Sequence, residues 1–168
     1  MDNLKANIID FLKTLAISIL IVFIINNFLF MPVKIDGESM YPNLQDKEVC
    51  LSGIITKLFG YDRFDIVILH NDHTQNRIVK RIIGMPNEIV EYKNNKLYIN
   101  GEFVEEPFLN DDVYTDDFRV ELGEDEYFCL GDNRNVSRDS RYYGAFSKAD
   151  VDAKGIFVLL PFSQFGFK

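Results

Sequence analysis

Residues 14–31, TLAISILIVFIINNFLFM, contain no charged side chain, and no other stretch limits the fold so strongly. As a helix these 18 residues would span about 27 Å, close to the hydrocarbon thickness of a bilayer. The run is therefore expected to cross a membrane. Lys13 precedes it and can snorkel to the interface, while Met31-Pro32 is expected to stop the helix on the far side. Lys5, Lys13 and the terminal amine favour a cytoplasmic amino end, a bias weakened by Asp2 and Asp10. The run is longer than the apolar core of a removable leader and no small-x-small cleavage site follows it, so it is expected to stay as an anchor. Asn26 and Asn27 are costly in lipid and are expected near the outer boundary.

Beyond Pro32 the pattern changes to short β-branched and aromatic runs separated by Gly, Asn, Asp and Pro, which predicts a mainly β domain. Two units follow: residues 1–31, a cytoplasmic tip and transmembrane anchor, and residues 32–168, a β-domain. Strands are expected at 33–35, 47–51, 65–70, 77–83, 89–92, 96–99, 127–130 and 153–160. Asn94-Asn95 and Asn100-Gly101 suit tight hairpin turns, so residues 88–104 read as a meander. Helix outside the anchor is limited to short turns at 51–59 and 148–151. The acidic segment 102–126 is expected to be solvated loop and edge. Acidic residues outnumber Lys plus Arg by 26 to 18, with a net charge of −8. With no basic stripe, that balance argues against a nucleic-acid partner.

Three clusters could carry chemistry. Ser39 lies in GESMYPNL, between Gly37 and Pro42; a nucleophilic serine needs a base to withdraw its proton. The two histidines, His70 and His73, share the loop HNDH and suit neither a triad nor a complete metal site. Lysine can serve instead if burial depresses its pKa. Lys80, in RIVKRIIG, would share an apolar strand face with Ile78 and Ile82 while Arg81 points the other way to pair with an acid. The third cluster is GDNRNVSRDSRYYG, residues 131–144, where Asp132 and Asp139 can accept from Arg134, Arg138 and Arg141 and hold Ser137 against a lysine amine. Each cluster alone has an ordinary structural explanation: a turn serine, a snorkelling lysine, a braced loop. Cys50 and Cys129 form no C-x-x-C pair, which argues against zinc and thioredoxin chemistry; buried core positions suit both, and a disulfide between them stays open.

Together, GESMYPNL, YDRFDIVIL, VKRIIGMPNE and GDNRNVSRDSRYYG resemble, in order and spacing, the successive sequence boxes of type I signal peptidases. The likeness runs from the apolar run to about Phe162. It implies a mainly β, signal-peptidase-like catalytic domain with one N-terminal transmembrane helix, held at the plasma membrane on its extracytoplasmic side. The implied partners are the bilayer and secretory preproteins, cut after small-x-small motifs without metal or cofactor. Carried over by position, the resemblance makes Ser39 the nucleophile, Lys80 the general base, Ser137 the group that holds Lys80, and Asp139–Arg141 a bracing ion pair. Met40 would begin the segment lining the pocket beside the scissile bond, and Ile35, Leu44, Ile78 and Val79 would shape small substrate pockets. Gly37 stands where some bacterial members carry serine, leaving more of the oxyanion role to the Ser39 backbone N–H. Phe64 replaces a glycine common in the family, which puts the local turn in question. The short stretch from Lys80 to Gly131 implies a reduced second β-region. A Ser/Lys autoprotease related to transcriptional repressors is disfavoured by the anchor and by the lack of a DNA-binding helical domain. A membrane-tethered binding domain without activity is disfavoured by the presence of both Ser39 and Lys80.

Overall fold

The computed structural model describes residues 2–25, 29–110 and 112–168. Helix α1 (Asp2–Ile24) contains an 18-residue window, Asn7–Ile24, long and apolar enough to cross a membrane, and none of that window is buried against the domain. The helix ends before the expected stop. Phe30 to Lys34 instead form strand β1, paired register for register with β2 (Val49–Gly53). Pro32 is tolerated there because β1 lies at the edge of its sheet, where a missing N–H breaks no second ladder. The first strand thus begins three residues before the one expected at 33–35; Asn26 and Asn27 lie outside the described residues.

The other strands are β3 (Ile66–Asn71), β4 (Asn76–Gly84), β5 (Ile89–Lys93), β6 (Lys96–Ile99), β7 (Glu102–Val104), β8 (Phe118–Glu121), β9 (Glu126–Leu130), β10 (Phe146–Ser147), β11 (Val151–Leu160) and β12 (Gly166–Phe167), with a short helix α2 (Ser140–Tyr143) before β10. The main antiparallel sheet has the order β1-β2-β11-β3-β4-β9-β10, with β12 added to β11, and the smaller one runs β7-β6-β5-β8. Asn94 and Asn95 adopt φ of 52° and 59°, and Asn100 and Gly101 adopt 52° and 86°. These are the positive values a two-residue hairpin matching strand twist requires. The acidic segment is not all loop. Phe118, Val120 and Leu122 pack on the small-sheet core, so an apolar alternation inside an acidic stretch sufficed to build β8.

Strand β3 explains how the domain divides. Ile66 and Ile68 join a core with Ile35, Met40, Leu44 and Ile156, while Val67 and Leu69 face a second core with Ile82, Tyr127 and Phe146. A strand covered on both faces needs the continuous apolar run IVIL rather than alternation. The small sheet builds a third core around Val90, Tyr92, Leu97 and Leu130. At the junction a Cβ on Gly84 would lie 2.3 Å from Val90 Cγ2 and 2.6 Å from Leu122 Cδ1, so only glycine lets β4 run this close to both.

Candidate active site

Ser39 sits half-buried on the turn that follows β1. Gly37 takes φ +94° and its N–H donates to Asp46 Oδ1 at 2.9 Å, fixing the approach to Ser39. Behind it, Met40 and Leu44 are buried in the first core and the Leu44 N–H donates to the Met40 carbonyl at 2.9 Å. Apolar burial on one side of this turn therefore leaves the Ser39 hydroxyl on the other, facing a groove. The Ser39 N–H donates no hydrogen bond among the described residues.

Lys80 enters from the middle of β4, paired with Val67, and is 3% exposed. Its Nζ lies 2.9 Å from Ser39 Oγ and donates to the Val79 carbonyl at 2.8 Å. Burial lowers the amine's pKa from its ordinary 10.5 to about 8, outweighing the opposing pull of the Asp139 carboxylate. Neutral amine is thus accessible near physiological pH, next to a hydroxyl.

The loop 131–139 closes this arrangement. The Asn133 N–H donates to the Ser39 carbonyl at 3.0 Å. A Cβ on Gly131 would lie 2.4 Å from that same carbonyl oxygen and 2.2 Å from Ser137 Oγ, so this close approach requires glycine. Asp139, fully buried, accepts from Arg141 Nε and Nη2 at 2.9 and 2.8 Å and from the Gly131 N–H at 3.0 Å. The other charges of the loop brace outward rather than pairing within it. Asp132 accepts Arg81 Nε and Nη2 at 2.8 and 2.7 Å and Asn43 Nδ2 at 2.9 Å. Arg134 reaches the small sheet, donating to Glu106 Oε1 at 2.6 Å, Thr115 Oγ1 at 3.0 Å and the Tyr92 hydroxyl. Arg138 joins no ion pair among the described residues. The internal network expected from the sequence reduces to Asp139–Arg141, because Arg81 and Glu106, far off in sequence, compete for the same partners.

Two further expectations need correction. Ser137 Oγ is buried with no hydrogen-bond partner among the described residues; it packs against Gly131, while Lys80 Nζ is engaged by Ser39 and Val79. Leu44 does not line the groove and supports it from the core. The groove, about 290 Å3, runs between residues 31–36 and 77–80, with Ile35, Met40, Ile78 and Val79 on its surface and Ser39 and Lys80 in it. Residues 31–34 and Ile68, which also line it, were not anticipated. Extended alternation continuing upstream of Val33 is the signal for them, hidden because residues 14–31 also fit a single apolar helix. Nor was Asn43 singled out; its Nδ2 also donates to the Phe108 carbonyl at 2.8 Å, a contact that only the fold creates.

Phe64, the anomalous residue of its turn, adopts φ +75°. Its ring packs on Phe108 at 4.9 Å and its carbonyl accepts Arg81 Nη1 at 2.9 Å. These contacts hold a left-handed conformation that glycine would adopt without strain. Cys50 and Cys129 are separate, buried free thiols, and burial raises both, Cys50 to about 11. His70 Nε2 lies 3.3 Å from Asp72 and His73 stacks on Tyr143 at 5.6 Å. Among the described residues no group of three or more His, Cys, Asp or Glu is placed to share a metal ion.

The model of the family described as signal peptidase, peptidase S26, matches residues 8–160 of the chain. The chain belongs to that family. Signal peptidase I S of Bacillus subtilis (strain 168) is 40% identical over 173 residues, covering 95% of this chain and 93% of its own. Signal peptidase IB of Staphylococcus aureus (strain COL) is 35% identical over 181 residues, covering 96% and 94%. A crystal structure of a signal peptidase I from Enterococcus faecalis V583 superposes with a TM-score of 0.52 at 35% identity, over 56% of this chain and 95% of that one. This signal peptidase is accordingly a membrane-anchored serine peptidase, mainly β, that removes signal peptides, and α1 is the segment suited to anchor it.

Proposed function

We propose that Ser39 and Lys80 are the pair with which this signal peptidase cuts, after small-x-small motifs, preproteins presented on the extracytoplasmic face of the membrane. Among the described residues, 77–80 of β4 pair only with β3, and β1 pairs only with β2. Apart from the Val79 carbonyl, which accepts from Lys80 Nζ, both strands therefore offer backbone without a second strand partner to an extended peptide lying in the groove between them. Ile35, Met40, Ile78 and Val79 leave room there for small side chains. Ser39 Oγ attacks the scissile carbonyl carbon as the neutral Lys80 amine takes the hydroxyl proton. The Ser39 N–H, which donates no bond among the described residues, is the donor for the developing oxyanion, whereas the Gly37 N–H is occupied by Asp46. The Lys80 ammonium then protonates the departing amine as the C–N bond breaks. Water, deprotonated by Lys80, hydrolyses the acyl-Ser39 ester.

The observation that carries this proposal is the 2.9 Å separation of Lys80 Nζ from Ser39 Oγ in a buried setting. Exposed Leu58, Phe59, Phe162, Phe165 and Phe167 suit a domain held against lipid. Preprotein cleavage by the purified full chain, with Ser39→Ala and Lys80→Ala, tests it: each substitution should abolish cleavage and keep the fold. Undiminished cleavage in either would sink the pair. Protease accessibility of the domain in intact cells against inverted vesicles tests its side.

A further inference from the structure

The groove that receives small side chains reaches Ser39, but the surface does not close there. A second depression of about 410 Å3 opens beyond the nucleophile, sharing Asp36, Ser39, Ile78 and Lys80 with the first. Asp36 and Glu38 line it from the turn that carries Ser39, Arg138 from the loop 131–139 and Tyr143 from α2. A peptide crossing Ser39 with its signal side in the first cavity places its leaving side in the second. No residue of the first cavity's small pockets other than Ile78 extends there.

The charges of this depression are unspent. Asp36, Glu38 and Arg138 are all exposed, and none joins an ion pair among the described residues. Most neighbouring charges are engaged: Asp46 holds the Gly37 N–H and lies 3.6 Å from Lys47, Arg77 pairs with Asp152, and Asp139 with Arg141; Lys34, which lines the first cavity but not the second, joins no ion pair among the described residues. The two carboxylates flank Gly37, whose left-handed backbone and bond to Asp46 fix the turn on which they stand. Arg138, by contrast, leans over the Tyr142 ring at 5.8 Å. With Lys80 neutral in the reactive state, two negative charges face one positive charge beside the departing chain.

We propose that this depression is a charge-selective subsite for the first residues of the mature protein, in which Asp36 and Glu38 favour a basic side chain and disfavour an acidic one. The proposal rests on the peptidase reaction set out above and adds a preference on the leaving side of the bond. The groups are solvent-exposed, so the discrimination is modest and screened by salt: roughly threefold to tenfold in kcat/KM between lysine and aspartate. Arg138 opposes it.

Three preproteins, identical through the scissile bond and carrying Lys, Gln or Asp at the second mature residue, test the subsite with the full-length enzyme in detergent. The expected order of kcat/KM is Lys, then Gln, then Asp, with the spread shrinking at high salt. The double variant Asp36→Asn, Glu38→Gln should bring the Lys-to-Asp ratio to one or below, and Arg138→Gln should widen it. Equal rates for all three substrates with the unaltered enzyme, or a ratio that survives the double variant, would overturn the subsite while leaving the peptidase reaction intact. Cleavage of none of the three would overturn that reaction, and the subsite with it.

Discussion

Lys80→Met tests the buried amine through stability rather than through catalysis. The folded-state pKa of Lys80 is about 8, below its ordinary 10.5, so between those values the unfolded chain holds a proton that the folded chain has released. Stability therefore rises with pH across this window, and the full penalty for burying the ammonium is present below about pH 8. At pH 7 that penalty is about 3 kcal/mol, and at pH 10 it is under about 1 kcal/mol. Methionine is close in length and carries no charge, so the substitution removes the penalty at both pH values. It also loses the contacts to Val79 and Ser39, a cost that changes little with pH. The quantity to compare is the gain at pH 7 minus the gain at pH 10, about 2.5 kcal/mol. Every other titrating group contributes equally to both proteins and cancels. Urea denaturation of the full chain in mild detergent, followed by tyrosine near-UV dichroism because the chain has eight Tyr and no Trp, reads this directly. A gain equal at both pH values, or a larger gain at pH 10, would refute a depressed amine at position 80.

Activity should follow the same group. For cleavage, kcat/KM is expected to climb about tenfold per pH unit below the midpoint and level off above about pH 8; a flat profile from pH 6 to 9 would contradict an amine base. Gly131→Ala places a Cβ 2.4 Å from the Ser39 carbonyl oxygen, so kcat should fall by at least tenfold while stability drops about 1–3 kcal/mol, as read by kinetics and melting together. Asn43→Ala removes donors from Asp132 and from the Phe108 carbonyl and should cost about 1–3 kcal/mol in urea denaturation. Glu48 is buried with neither carboxylate oxygen bonded among the described residues, so Glu48→Met should stabilise the domain by about 1–3 kcal/mol, with a neutral or negative result counting against the orphaned carboxylate.

What could be seen in the sequence was local. Strands β3 to β6 announce themselves by apolar runs between Asn and Gly turns, and Lys80 shows its buried face through the flanking isoleucines. Ser39 and Lys80 stand out only through the family resemblance of the boxes that hold them, since a turn serine and a strand lysine each have an ordinary structural explanation alone. The partners of the loop charges are not legible, since Arg81, Asn43 and Glu106 reach Asp132 and Arg134 across 28 to 89 positions of sequence, and composition cannot say which of several acids an arginine will meet. The end of the anchor was missed because apolar residues satisfy a lipid-facing helix and a half-buried edge strand equally well: Phe30 and Met31 fit both descriptions. The positive φ of Phe64 escaped for the opposite reason, a local rule overridden by Phe108 and Arg81 packed around it.

The unpaired backbone of β1 and β4 has a cost outside catalysis. Exposed strand edges invite any extended segment, including another copy of the same chain, to join them. Here the two edges face each other across a recess rather than outward, so a second folded domain is too thick to enter while a single threadlike chain is not. Access is thereby granted by thinness, and a client that has already folded around its own cleavage point is excluded before any side chain is read.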